Sequence, residues 1–74
     1  MSAKEMFEEL GYKKANVIDP DRYIFYISEM SEICFNKKHK EVGKQIINSA
    51  FSDMITFEEL QAINKQVEEL GWNK

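Results

Sequence analysis

The chain has a single cysteine, Cys34, a single histidine, His39, a single proline, Pro20, and three scattered glycines among its 74 residues. Each scarcity excludes something. One cysteine cannot close an intramolecular disulfide, so the covalent framework of small secreted domains is missing and a reducing cytoplasm is the expected setting. A zinc site takes about four Cys, His or acidic ligands at short spacings, and Cys34 with His39 makes no such set. Cys34 as a nucleophile with His39 as its base is the sharper reading, but free cysteine on a strand ordinarily serves as a small hydrophobe. Gly11, Gly43 and Gly71 stand too far apart to form a phosphate-cradling loop. No run of about 18 apolar residues exists to cross a membrane, and Met1-Ser2-Ala3-Lys4-Glu5 lacks the basic and apolar regions of a signal peptide. The chain is therefore expected in the cytoplasm, away from membranes. Glu8-Glu9, Glu58-Glu59 and Glu68-Glu69 are adjacent pairs whose members face different directions on a helix, so they read as solvated faces. A ligand pocket of roughly 300–1,000 Å³ would consume much of so small an interior. The expectation is no catalytic residue, no cofactor, no metal and no enzyme.

What is present is a single domain over residues 1–74, with 43% hydrophobic and 31% charged residues and a net charge of −3. A chain of about 60 residues buries only about 60% of its unfolded surface, so one thin core is the limit. The charge is segregated. Residues 1–11 carry Lys4 against three glutamates, residues 12–51 carry seven cations against five anions, and residues 52–74 carry two against five. The ends are acidic and the middle is mildly basic.

Both ends read as helices. Ser2 at an N-cap with Glu5 three residues on is a capping box, in which each side chain satisfies a backbone N–H of the other, with Met1 and Met6 in staple positions. Ala3, Met6, Phe7 and Leu10 share one stripe. Gly11 stops the helix by entering the left-handed region, and Tyr12 folds back on Phe7. The C-terminal segment repeats the logic. Thr56 and Glu59 form the box, Ile55 and Leu60 stand in the staple positions, and Leu60, Ile63, Val67 and Leu70 form the core stripe with Ala62 and Asn64 beside it. Gly71 closes this helix, with Trp72 over Val67. The endings Phe7-Glu8-Glu9-Leu10-Gly11-Tyr12 and Val67-Glu68-Glu69-Leu70-Gly71-Trp72 match in type. Shared cap chemistry explains this without a duplicated unit.

The middle reads as strands. Asp19-Pro20-Asp21 is a turn. Arg22 to Ser28 follows, rich in β-branched and aromatic residues. Glu32 to Asn36 alternates with Ile33 and Phe35 inward, and Glu41 to Ile47 is a third strand weakened by Gly43. Residues 14–18 are a further short strand or a loop, and residues 48–54 link to the last helix. The implied architecture is α+β: helix, a three- or four-stranded antiparallel meander, helix, with both helices on one sheet face. Tyr23, Phe25 and Ile27 then share one face of their strand and Ile24 and Tyr26 the other. The expectation places Ile24 and Tyr26 on the uncovered side. Either they line a half-wet sheet, the 48–54 segment covers them, or another chain does, a protein partner or a second copy.

Lys37, Lys38 and Lys40 with Lys44 are the one stretch that reads as a possible anion site. Strand aromatics beside it would suit nucleic-acid binding, but the sequence pI of about 5.1 argues against that class. Lysines also commonly keep sheet edges apart.

Ala3-Lys4-Glu5-Met6-Phe7-Glu8-Glu9-Leu10-Gly11-Tyr12-Lys13 and the segment from Ile55 to Trp72, in particular Glu59-Leu60-Gln61-Ala62-Ile63-Asn64-Lys65 and Glu69-Leu70-Gly71-Trp72, resemble the ends of small uncharacterised proteins encoded by phages and prophages of Firmicutes bacteria. Those blocks span under half of the chain, and the resemblance brings no activity or catalytic residues with it. It implies an α+β miniature domain acting as an accessory factor in a bacterial cytoplasm. Protein interaction is the leading function read from these features, and nucleic-acid binding through residues 37–44 the alternative.

Overall fold

A computed structural model describes residues 1–47 and 54–73. The elements are α1 (Ala3–Glu9), β1 (Lys13–Lys14), β2 (Tyr23–Ile27), β3 (Ser31–Asn36), β4 (Glu41–Ile46) and α2 (Phe57–Leu70). The four strands form an antiparallel meander in the order β1-β2-β3-β4, and α1 packs against both α2 and β1. The α+β class and the strand-rich middle agree with the sequence reading. The further strand near residue 14 shrinks to Lys13–Lys14, paired with Ile27 and Tyr26. The linker expected over residues 48–54 lies outside the described residues except for Met54.

Local chemistry sets both helices as expected. Ser2 Oγ accepts from Glu5 N at 3.1 Å while Glu5 Oε1 accepts from Ser2 N at 2.9 Å, and Thr56 with Glu59 repeats the box at 3.1 and 2.9 Å. Gly11 and Gly71 take φ of +90° and +73°. Beyond them, Tyr12 N donates to Phe7 O at 3.0 Å and Trp72 N to Val67 O at 3.2 Å. The twin endings are thus the same two-bond cap, which needs a residue tolerant of left-handed backbone at the glycine position.

The sheet corrects the face assignment. Pairing sets Ile24 opposite Phe35 and Tyr26 opposite Ile33, and residues directly opposite in an antiparallel pair share a face. Because Ile33 and Phe35 point at the helices, Ile24 and Tyr26 must do so as well, and they are only 6% and 1% exposed. Tyr23, Phe25 and Ile27 take the outer side. The core is Phe7, Tyr12, Ile24, Tyr26, Ile33, Phe35, Ala62 and Ile63, with Met6, Val42, Val67, Leu70 and Trp72 packed around it. Phe7 is its centre. Its ring stacks on Tyr26 at 4.0 Å between centroids and meets Tyr12 and Phe35 edge-on at 5.8 and 6.1 Å.

α2 is rotated from the expected stripe. Glu59, Ala62, Ile63 and Gln66 are its buried residues, whereas Leu60 is 43% exposed. The rotation follows from partners in the sheet: the Tyr26 hydroxyl donates to Gln66 Oε1 at 2.6 Å, and Glu59 meets Tyr12 and Lys44. A buried polar group with a partner keeps its place in a core, and without one it would not.

Candidate functional site

Glu59 is the hub of a buried polar cluster where α2 begins over the sheet. Its Oε1 accepts from Lys44 Nζ at 2.8 Å and from Thr56 N at 2.9 Å, and its Oε2 accepts from the Tyr12 hydroxyl at 2.5 Å. The Tyr12 oxygen also lies 2.8 Å from Ser31 Oγ, and Lys44 Nζ donates to Met54 O at 2.9 Å. The Lys44 and Glu59 side chains are only 6% and 9% exposed. Burial by itself pushes the Glu59 carboxyl up, but the Lys44 ammonium, the Tyr12 hydroxyl and the Thr56 N–H outweigh it and hold its pKa below the ordinary carboxylate value. Burial and then the Glu59 bond push the Tyr12 hydroxyl up. Lys44 and Glu59 carry opposite charges in direct contact, so the cluster ties α2 to the sheet.

This arrangement has a pH consequence. A carboxylate whose folded pKa is depressed contributes stability above its unfolded pKa, near 4.5, and that contribution is lost as pH falls through the folded value. Melting temperature is expected to drop below about pH 4.5, with a flatter acid limb in Glu59→Gln. An equal acid slope in both proteins would assign it to other carboxylates. Tyr26 works at the other extreme. Burial, then Glu69 and Glu8, push its hydroxyl up to about 12, so its contribution is present below about pH 10 and is lost as pH rises towards 12.

Of the residues expected to bind, Ile24 and Tyr26 are core, and Lys44 is not part of an anion-binding loop. It stands on β4 with its ammonium turned inward onto Glu59, because even-numbered positions of that strand face the helices. Lys37 Nζ donates to Pro20 O at 2.8 Å, while Lys38 and Lys40 are exposed in the turn at residues 37–40. Asn36 Oδ1 shapes that turn by accepting from Lys38 N and His39 N at 3.1 and 3.2 Å. His39 is exposed there, whereas Cys34 sits mid-strand opposite Phe25 and Gly43. Burial and then Glu32 push the Cys34 thiol up, the opposite of nucleophile activation. Among the described residues no group of three or more His, Cys, Asp or Glu is placed to hold a metal, and no helix is long and apolar enough to cross a membrane.

The outer sheet face carries Tyr23, Phe25 and Ile27 on β2, Glu32, Cys34 and Asn36 on β3, and Glu41, Gly43 and Gln45 on β4. Among the described residues no helix packs on it. The Tyr23 and Phe25 rings lie 5.9 Å apart, and Ile27 is 37% exposed. A shallow hollow of about 150 Å³ lies over Cys34 and Gly43, flanked by Glu32 and Gln45. The sheet edges are blunter. β1 has two residues, both lysine, and β4 carries the inward-pointing Lys44, devices that discourage strand addition.

Tyr12, Ser31, Glu59 and Gln66 are the residues the sequence reading missed as core polar groups. Glu59 was recognised only as a cap residue, and nothing local announces that the same carboxylate also reaches across to Tyr12 and Lys44. Set beside known proteins, the chain matches no family model, no curated protein and no solved structure.

Proposed function

We propose that this chain is a non-enzymatic accessory protein that binds another protein, or a second copy of itself, through the outer face of its sheet. The observation that carries the reading is the placement of Tyr23, Phe25 and Ile27 on the side away from both helices, with large aromatic surface of the kind that anchors interfaces. The blunted edges favour docking on the face over strand addition. The setting proposed with it, from the resemblance of its two ends, is the cytoplasm of a bacterium carrying a phage or prophage.

Phe25→Glu is the direct test, because Phe25 lies outside the core and the variant is expected to keep its melting temperature. Light scattering across a concentration series and pull-down from host lysate should show a dimer, or a captured protein, that the substitution weakens about tenfold or more. A monomer with the same captured set in both proteins would sink the reading. Nucleic-acid binding by the 37–44 segment stays as the alternative, carried by the exposed Lys38 and Lys40. An oligonucleotide affinity that falls steeply with added salt would favour it.

A further inference from the structure

We infer that the end of the molecule where α1 stops, β2 turns into β3 and α2 begins is a second docking site, which accepts a cationic amphipathic helix from another protein. This uses residues other than those of the outer sheet face. Tyr12, Ser31 and Glu59 are joined there by bonds of 2.8 and 2.5 Å, which draws their chain neighbours to one end. Close to them in sequence stand apolar side chains in water: Met30 is 73% exposed, Phe57 68%, Ile55 45%, Leu60 43% and Leu10 37%. Between Leu10 and Met30 lies a hollow of about 300 Å³, bounded by Gly11, Ser28 and Glu29. An apolar residue left in water gains by burial against a partner, and flexible methionine suits a surface that adapts to a helix.

Charge selects the occupant. Glu9, Glu29 and Glu58 are exposed beside Leu10, Met30 and Phe57, and the last turn of α1 holds no basic residue. Lys13 is exposed at this end, opposite Ile27, against those three glutamates; Lys44 is turned inward onto Glu59, and Lys37 to Lys40 occupy the β3–β4 turn at the opposite end of the strands. An apolar surface with an acidic rim complements a helix carrying Lys or Arg along the edges of its apolar stripe. A second copy does not supply one. The exposed face of α2 carries Glu58, Glu68 and Glu69 against Lys65, and α1 is acidic as well. Anionic membrane would be repelled by the same rim.

The test is fluorescence anisotropy with a labelled model helix built from Leu and Lys, and its counterpart built from Leu and Glu, against the intact chain. The Leu/Lys helix is expected to bind and the Leu/Glu helix not to. Met30→Ser with Phe57→Ser should weaken binding about tenfold, and Glu29→Lys with Glu58→Lys should weaken it and flatten its salt dependence. All four positions are exposed; melting temperature should hold for the Met30/Phe57 pair and fall slightly for the Glu29/Glu58 pair, because Glu58 lies in the first turn of α2. Equal binding of the two helices, or Leu/Lys binding indifferent to both double variants, would overturn the inference. A loss caused by Phe25→Ser alone would overturn it too, while leaving the sheet-face reading standing.

Discussion

Glu59→Ala is expected to cost about 3–5 kcal/mol, the range for breaking one partner of a buried ion pair. The substitution removes the carboxylate bonded by both the Lys44 ammonium, whose side chain is 6% exposed, and the Tyr12 hydroxyl, and with it half of the α2 capping box. A domain of 74 residues has about 4–11 kcal/mol of stability in all, taking 0.05–0.15 kcal/mol per residue. Loss of 3–5 kcal/mol would therefore bring the chain close to unfolding, with a fall of about 4–8 °C in Tm per kcal/mol. Lys44→Met is expected to cost less in the Glu59→Ala chain than in the parent, because the Lys44–Glu59 bond is then already absent. Thermal melts of the single and double variants decide the matter. A Glu59→Ala protein within about 1 kcal/mol of the parent would mean that the bonds to Glu59 contribute no more than a surface pair does.

Phe7→Ala is the second large effect, at about 3–5 kcal/mol for truncating a buried aromatic. Phe7 is 0% exposed and touches Tyr12, Tyr26 and Phe35 at once, so no neighbour can relax into the void without giving up another ring contact. Tyr26→Glu belongs to the same class, since it would place a carboxylate among Phe7, Phe35 and Ile33. Phe25→Ser, one position along the same strand, is expected to cost within about 1 kcal/mol. The contrast is a direct check on which face of β2 is covered. Urea titrations of Phe7→Ala and Phe25→Ser that gave similar midpoints would overturn that assignment.

Much of the fold was legible because its signals are local. A capping box joins residues three apart, and the glycine endings close within one turn, so Ser2, Glu5, Gly11, Thr56, Glu59 and Gly71 could be assigned from spacing alone. The alternation of β3 is equally local. β2 was different. Tyr23-Ile24-Phe25-Tyr26-Ile27 is apolar at every position, so its pattern is the same from either side, and only its pairing with Ile33 and Phe35 decides which residues face the helices. A one-position choice there exchanged the core residues Ile24 and Tyr26 for the outer residues Phe25 and Ile27.

The stripe of α2 shows the same division. Hydrophobicity put Leu60 in the core, yet Glu59 and Gln66 are buried instead, because Tyr12, Lys44 and Tyr26 reach them from parts of the chain far away in the sequence. By itself, then, the sequence determined two capped helices around an antiparallel meander, since those features depend on bonds between near neighbours. Which sheet face the helices cover, and which charged groups lie inside, were decided only by the tertiary structure, because the energy of a buried polar or aromatic side chain depends on partners that chain order does not bring together.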